Sequence, residues 1–225
     1  MNLIKSQDFF SPDMVHERIH IVGCGSVGGC IAELLARFGL TRMTLYDFDI
    51  VEEKNIVNQI YDYRHVGLPK VEALASILSD INPDIKQDLV LEPEGYKNQR
   101  LSGIVFLAVD NIEVRKDIVK KYRGNPGITA MFDIRTELTG AQHYAANWSD
   151  PAQVRDFFAT MDFTHEEAVA ETPVSACGVT LGVAPTVRMV VTVAVVNMVN
   201  FVKSGRRELK KMALVDAFGM TIDAF

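Results

Sequence analysis

Apolar residues recur along this chain in two rhythms, and the alternation between them lays out the elements. The run Ile19 to Val22 breaks on Gly23, and beyond it Val27, Ile31, Leu34, Leu35 and Phe38 return at helical spacing. The opening therefore reads strand, turn, helix. A second apolar run, Met43 to Tyr46, ends on Asp47. A second amphipathic helix opens at Gly67-Leu-Pro-Lys70, carries Val71, Leu74, Ala75, Leu78 and Ile81 on one face, and stops at Asn82-Pro83. Residues 85–91 read as a third strand, and 103–109 as a strand covered on both faces, because nothing polar interrupts it. A helix over 112–122 and a strand over 128–134 follow. Past Gly140 the pattern changes: 141–148 alternates like an antiparallel strand, 150–161 is helical, and 162–175 is acidic and loop-like. A long apolar helix over 181–202 and two closing strands, 211–217 and 220–225, complete the chain. Residues 1–17 read as a helical arm, with Ser11-Pro12-Asp13 as a helix start.

Strands alternating with helices of ten or more residues imply an α/β fold with right-handed crossovers. The expected architecture is a doubly wound, Rossmann-like, mostly parallel sheet with antiparallel strands at its C-terminal end. With 225 residues and 48% hydrophobic content, the chain suits one domain over 1–225. Function in such a sheet lies along the carboxyl ends of the strands.

Charge narrows the partners. The 23 basic and 29 acidic residues leave a net charge of −6, which gives no general attraction to nucleic acid or anionic lipid. Three cysteines without regular spacing fit a reducing compartment, and the start lacks the basic and apolar regions of a signal peptide, so a cytoplasmic location is expected. The apolar stretch 181–202 holds Arg188, Pro185, Asn197 and Asn200, and its uncharged part is shorter than the roughly 20 residues a bilayer needs. It reads as a buried or subunit-interface helix and not as a membrane span.

The chemistry begins at Gly23-x-Gly25-x-x-Gly28, between the first strand and its helix. Glycines there permit a tight turn and let backbone N–H groups approach a phosphate at the positive end of the helix dipole. Asp47 lies nineteen residues beyond Gly28 at a strand's end, where a carboxylate can bond ribose hydroxyls. Lys70 stands in the first turn of a helix, where the macrodipole opposes a cation by a few tenths of a kcal/mol, so it reads either as a solvated lysine or as one with something anionic nearby. Asn55, Asn58 and Gln59 offer amides suited to phosphate oxygens or simply to a surface loop. Asp110 ends a strand, in place to hold Mg²⁺; with Glu113 it equally has the spacing of a capping box, as does Asp49 with Glu52. Cys177, before the long helix, is a possible nucleophile or a small buried thiol, while Cys24 and Cys30 read as structural. No C-x-x-C spacing occurs among the three cysteines, and no zinc site is expected.

Together these motifs resemble the MoeB/ThiF/HesA adenylyltransferases, relatives of the ubiquitin-activating enzymes. The resemblance rests on Gly23-x-Gly25-x-x-Gly28, Asp47-x-Asp49-x-Val51-Glu52, Asn55-x-x-x-Gln59, Val66-Gly67-x-Pro69-Lys70, Asp110-Asn111-x-x-x-Arg115, Cys177-Gly-Val, Ala184-Pro185 and Val215-Asp216-Ala217, in family order over residues 18–225. It implies activation of the C-terminal Gly-Gly carboxylate of a small ubiquitin-like or sulfur-carrier protein, with ATP and Mg²⁺, to an acyl-adenylate and pyrophosphate. Carried over position by position, Asp47 would hold the ribose, Asn55 and Lys70 the phosphates and Asp110 the Mg²⁺. Gly23, Gly25, Gly28, Asp49, Gln59 and Asn111 would line the cofactor site. A homodimer formed through the long helix is expected.

Two departures shape the alternatives. Asn58 replaces an arginine that in the family reaches phosphates across the subunit interface, which raises a second reading: a weak or inert subunit that binds nucleotide or a ubiquitin-like protein. The stretch before the long helix is too short for a separate catalytic-cysteine domain, which favours adenylation alone. A third reading, an NAD-dependent oxidoreductase, leaves Lys70, Asn55 and Gln59 without roles.

Overall fold

In the computed structural model, which describes residues 1–171, 174–176 and 181–225, the chain runs β1 (Ile19–Val22), α1 (Ser26–Arg37), β2 (Met43–Tyr46), α2 (Lys70–Ile81), β3 (Val90–Glu92), β4 (Gly103–Leu107), α3 (Ile112–Tyr122), β5 (Ile128–Thr136), β6 (Gly140–Asn147), α4 (Pro151–Ala159), α5 (His165–Glu171), α6 (Ala184–Lys203), β7 (Met212–Asp216) and β8 (Thr221–Ala224). The strands form one sheet in the order β3-β2-β1-β4-β5-β6-β7-β8. Pairing is parallel from β3 through β5 and antiparallel from β5 to β8. The doubly wound, mostly parallel sheet expected from the sequence is therefore present. The chain steps outward from β1 to β2 and β3, then returns to place β4 on the other side of β1. That reversal between β1 and β4 opens a crevice at the strands' carboxyl ends.

Each face of the sheet has its own cover. One core joins α1, α2 and α6 to Ile21, Phe106 and Phe132; the other joins α3 and α4 to Val22, Val105 and Leu107. Alternate residues of β1 and β4 thus face opposite cores, which is why both strands are apolar nearly throughout. By length and composition α6 could cross a bilayer. Here it lies along α1, β5, β6 and β7, with Val187, Val190, Val191, Ala194, Val195 and Met198 buried. Each of these valines and Met198 contributes roughly 1.5–3 kcal/mol of hydrophobic stabilisation. Its outer face carries Arg188, Thr192, Val196, Asn200 and Lys203, and Arg188 Nη1 pairs with Glu33 of α1 at 2.8 Å. The apolar length that suggested a subunit interface is spent inside the chain.

Three local readings change. The third strand is only Val90–Glu92, because Asn82 accepts from the Asp84 N–H and Pro83 fixes φ, starting a 3-10 turn over Pro83–Gln87. The arm at 1–17 holds one 3-10 turn, Pro12–Met14, capped by Ser11. The loop expected over 162–175 contains α5, opened by a reciprocal box: Glu167 accepts from the Thr164 N–H at 2.7 Å and Thr164 Oγ1 from the Glu167 N–H at 3.2 Å.

Candidate nucleotide site at the carboxyl ends of the strands

The glycine turn is fixed by backbone crowding. At Gly23, with φ at +98°, a Cβ would stand 2.7 Å from the Ala108 and Val109 backbone, so the end of β1 passes close to the end of β4. At Gly28 a Cβ would lie 1.8 Å from the Gly23 carbonyl oxygen. Gly25 differs, since a Cβ there would meet only Gln59 Nε2, at 4.0 Å. Gly25 is also the N-cap of α1 and supplies no side-chain cap, so the first amides of α1 are available to an anion in that open space.

Asp47 is tied into this turn. Its Oδ2 accepts from the Cys24 N–H at 2.6 Å and its Oδ1 from the Asp49 N–H at 2.9 Å. Burial pushes its carboxyl up from the usual range, and those two hydrogen bonds oppose the shift. Each oxygen keeps lone-pair capacity for a ribose hydroxyl. Burial likewise pushes the Cys24 thiol well up and the Cys30 thiol to about 11, which fits small packed thiols beside a phosphate turn.

Lys70 is the first residue of α2, with Pro69 at the N-cap instead of the first helical position. Its side chain is buried, and Nζ lies 2.7 Å from Asp49 Oδ2. The anion that a cation in a first turn requires is thus Asp49, which does not cap a helix. The N-cap before the next 3-10 turn is Glu52, whose N–H donates to Asn55 Oδ1 at 2.9 Å. Asn55 therefore braces its own loop. Gln59 leans over the glycine turn with Oε1 buried and without a hydrogen-bond partner. Asn58 Nδ2 points the other way, to the Gly182 carbonyl at 3.4 Å, ahead of α6. Tyr61, not singled out from the sequence, joins the phosphate elements: its buried hydroxyl donates to Cys24 O at 2.6 Å and lies 3.3 Å from Lys70 O.

Of Asp110 and Asn111, it is Asn111 that caps the following helix. Asn111 Oδ1 caps α3, accepting from the N–H groups of Glu113 at 2.9 Å and Val114 at 3.4 Å. Asp110 is exposed beyond β4 and has no capping role. Arg115, on the first turns of α3, is buried and donates to the Val109 carbonyl, immediately before Asp110. It also pairs with Asp133, which Arg135 holds from the other side. Asp133 and Arg135 escaped the sequence reading; the available signal was a carboxylate set within the apolar strand 128–134.

A nucleotide fits these residues: an open glycine cradle, uncapped amides, a carboxylate at ribose distance in the motif, a buried cation and an orphaned amide oxygen converge at one end of the sheet. Among the described residues no three His, Cys, Asp or Glu are grouped to hold a metal. Asp110 as a single exposed carboxylate matches Mg²⁺, which takes one or two carboxylates and completes its shell with phosphates and water. Two hollows, of about 240 and 190 Å³, lie elsewhere, one beside Val15, Glu17 and Arg42 at the amino ends of the strands, the other between Tyr144 and Lys211. Cys177 lies outside the described residues.

Comparison with known proteins agrees with this geometry. A family model described as ThiF family matches residues 11–225. Among curated proteins, ubiquitin-like modifier-activating enzyme 5 of Drosophila virilis is 30% identical over 134 residues, 52% of this chain and 32% of that protein. The enzyme of the same name from Oryza sativa subsp. japonica is 45% identical over 67 residues, 30% of this chain and 16% of that one. The chain therefore spans about a third or less of these relatives. Among solved structures, E. coli MccB with ATP superposes with a TM-score of 0.70 at 17% identity, covering 95% of this chain and 64% of that one. PaaA superposes with a TM-score of 0.68 at 16% identity, covering 95% and 74%. At these identities the structural likeness establishes the fold.

Proposed function

Because the chain belongs to the ThiF family, we propose that it is an ATP-dependent adenylyltransferase, cytoplasmic, that activates the C-terminal carboxylate of a small protein or peptide. A ubiquitin-like or sulfur-carrier protein ending in Gly-Gly is the favoured substrate. The relatives named as ubiquitin-like modifier-activating enzymes and the MccB structures, several of them with MccA, support a small protein or peptide as substrate. The single observation that carries the reading is the buried Lys70 held by Asp49, set beside a glycine turn whose amides are uncapped.

In the reaction, the substrate carboxylate attacks the α-phosphorus of ATP, an acyl–phosphate bond forms, and the bond to the β-phosphate breaks with release of pyrophosphate. Negative charge grows on the phosphate oxygens, and Lys70, preorganised by Asp49, offsets it. The amides at the start of α1 share that task. Asp47 orients the ribose, and Gln59 Oε1 offers its unused lone pairs to a donor on the nucleotide or its water. Mg²⁺, held by Asp110, supplies further charge neutralisation when bound.

ATP–pyrophosphate exchange, run with candidate carrier proteins and peptides, tests the proposal: label entering ATP only when a carboxylate substrate is present supports it. A second reading rests on Asn58, whose amide bonds Gly182 within the chain and offers no guanidinium to a neighbouring subunit. Tight ATP binding with no exchange for any carboxylate would favour that reading, a nucleotide- or ubiquitin-like-protein-binding subunit. The homodimer remains part of the proposal, now with the outer face of α6 or another surface as its seam.

A further inference from the structure

Asp133 is fully buried in β5, and a carboxylate occupies such a place only when it is paired. Both its oxygens are taken by arginines. Arg115 Nη1 donates to Oδ1, and Arg135 Nε donates to Oδ2 at 2.8 Å. Each guanidinium then reaches away from the carboxylate in an opposite direction. Arg115 places Nε 2.7 Å from the Val109 carbonyl oxygen, adds Nη2 to the same oxygen, and sets Nη1 2.9 Å from Ile134 O. Arg135 donates to Thr160 O at 2.7 Å and Thr160 Oγ1 at 3.0 Å, with its plane over the rings of Tyr144 and Phe163. The three side chains form one brace from the end of α4 to the peptide that precedes Asp110.

Cohesion alone does not call for such a brace, since a buried ion triad is commonly no more stabilising than apolar residues of the same volume. What it does that an apolar cluster cannot is grip one carbonyl with two N–H groups of a planar fork. That carbonyl is Val109 O, and fixing its peptide plane fixes the direction in which the chain presents Asp110. We propose that Asp133 and Arg135 are positioning residues, acting through Arg115 to aim the Asp110 carboxylate at the metal that accompanies ATP. This rests on the reading of Asp110 given above.

The test measures ATP affinity by titration calorimetry, with and without Mg²⁺, on the full chain and on the variants Asp110→Asn, Asp133→Asn, Arg135→Gln and Arg135→Lys. Circular dichroism confirms the fold of each. In wild type Mg²⁺ tightens ATP binding, and in Asp110→Asn that gain disappears. Asp133→Asn and Arg135→Gln reduce the apparent Mg²⁺ affinity of the ATP complex roughly 10- to 100-fold, the usual cost of losing the support of a metal ligand, and leave Mg²⁺-free ATP affinity unchanged. Arg135→Lys keeps a cation beside Asp133 and loses the fork on Thr160; should Asp133→Asn fail to fold, this variant carries the test, with a smaller loss in the same direction. A full Mg²⁺ gain in the Asp133 and Arg135 variants, alongside its loss in Asp110→Asn, overturns the brace. A gain that survives in Asp110→Asn, or is missing from wild type, overturns the reading of Asp110 and the brace with it.

Discussion

Lys70 and Asp49 are joined twice: the ammonium lies 2.7 Å from Asp49 Oδ2, and the Lys70 backbone N–H donates to the Asp49 carbonyl at 2.9 Å. The second bond docks the start of α2 on the loop after β2, so the first bond holds the cation ready before any phosphate arrives. In the proposed site a nucleotide would share Lys70 with Asp49.

From this follows a rate effect without a large stability effect. Lys70→Ala should reduce ATP–pyrophosphate exchange by roughly 100- to 1000-fold, the loss typical of one preorganised electrostatic group. Asp49 is exposed, so the carboxylate left behind is solvated and thermal denaturation should move little. Exchange retained in Lys70→Ala would remove Lys70 from the phosphate site.

Gly25 and Gly28 should separate binding from folding. Gly28→Ala drives a methyl into the Gly23 carbonyl and should cost at least about 1–3 kcal/mol of stability in urea titration. Gly25→Ala adds a methyl to open space, so it should fold normally yet lose the thermal stabilisation by ATP, worth about 2.7 kcal/mol in wild type at a hundredfold excess over Kd. Equal ATP stabilisation in Gly25→Ala would mean that the phosphates bind elsewhere.

Two buried imidazoles set an acid limit. Burial pushes His20 and His143 down to about 4 from 6.5. The unfolded chain takes up these protons first, so stability is whole above pH 6.5 and drains as pH falls towards 4, at up to about 1.4 kcal/mol per pH unit for each histidine. His143→Gln, which can still meet Asn197, should flatten the fall between pH 6 and 4.5 on the order of one such slope. A parallel pH profile in wild type and variant would show that His143 is not neutral in the fold.

Adjacent valines on α6 should behave oppositely. Val195 is 1% exposed and Val196 49%. Val195→Asp buries an unpaired carboxylate and should cost roughly 3 kcal/mol or more, while Val196→Asp should fall within about 0.5 kcal/mol. Sedimentation of Val196→Asp then reports on assembly without the confounding effect of unfolding: a wild-type dimer that turns monomeric in this variant places the seam on the outer face of α6.

Periodicity exposed the frame because burial imposes it directly. β2 and α3 fall where their apolar spacing puts them, and β4 reads as apolar because both faces are covered. Short elements were harder to see. Pro83 and the Asn82 cap outweigh the apolar residues that follow, and α5 is too short for a stripe, with only the Thr164 and Glu167 box to mark it. At the site, Lys70, Asp47 and the glycines were legible because each answers to one local constraint. That Asn111 and not Asp110 caps α3 was not, since both residues cap well and one position decides between them. Tyr61, Asp133 and Arg135 also depend on distant partners: Cys24 lies 37 positions from Tyr61, Arg115 18 from Asp133 and Thr160 25 from Arg135, too far for a local pattern to show.

The pairing of Arg188 with Glu33 spans 155 positions. On a ribosome, the flank of α1 that α6 covers therefore stays bare until residues 184–203 have been made. At ordinary elongation rates that interval is roughly 10–30 s, long compared with helix formation or collapse. The glycine turn is translated well before the layer that backs it. A nascent chain thus carries an uncovered apolar stripe next to the glycine turn until α6 arrives.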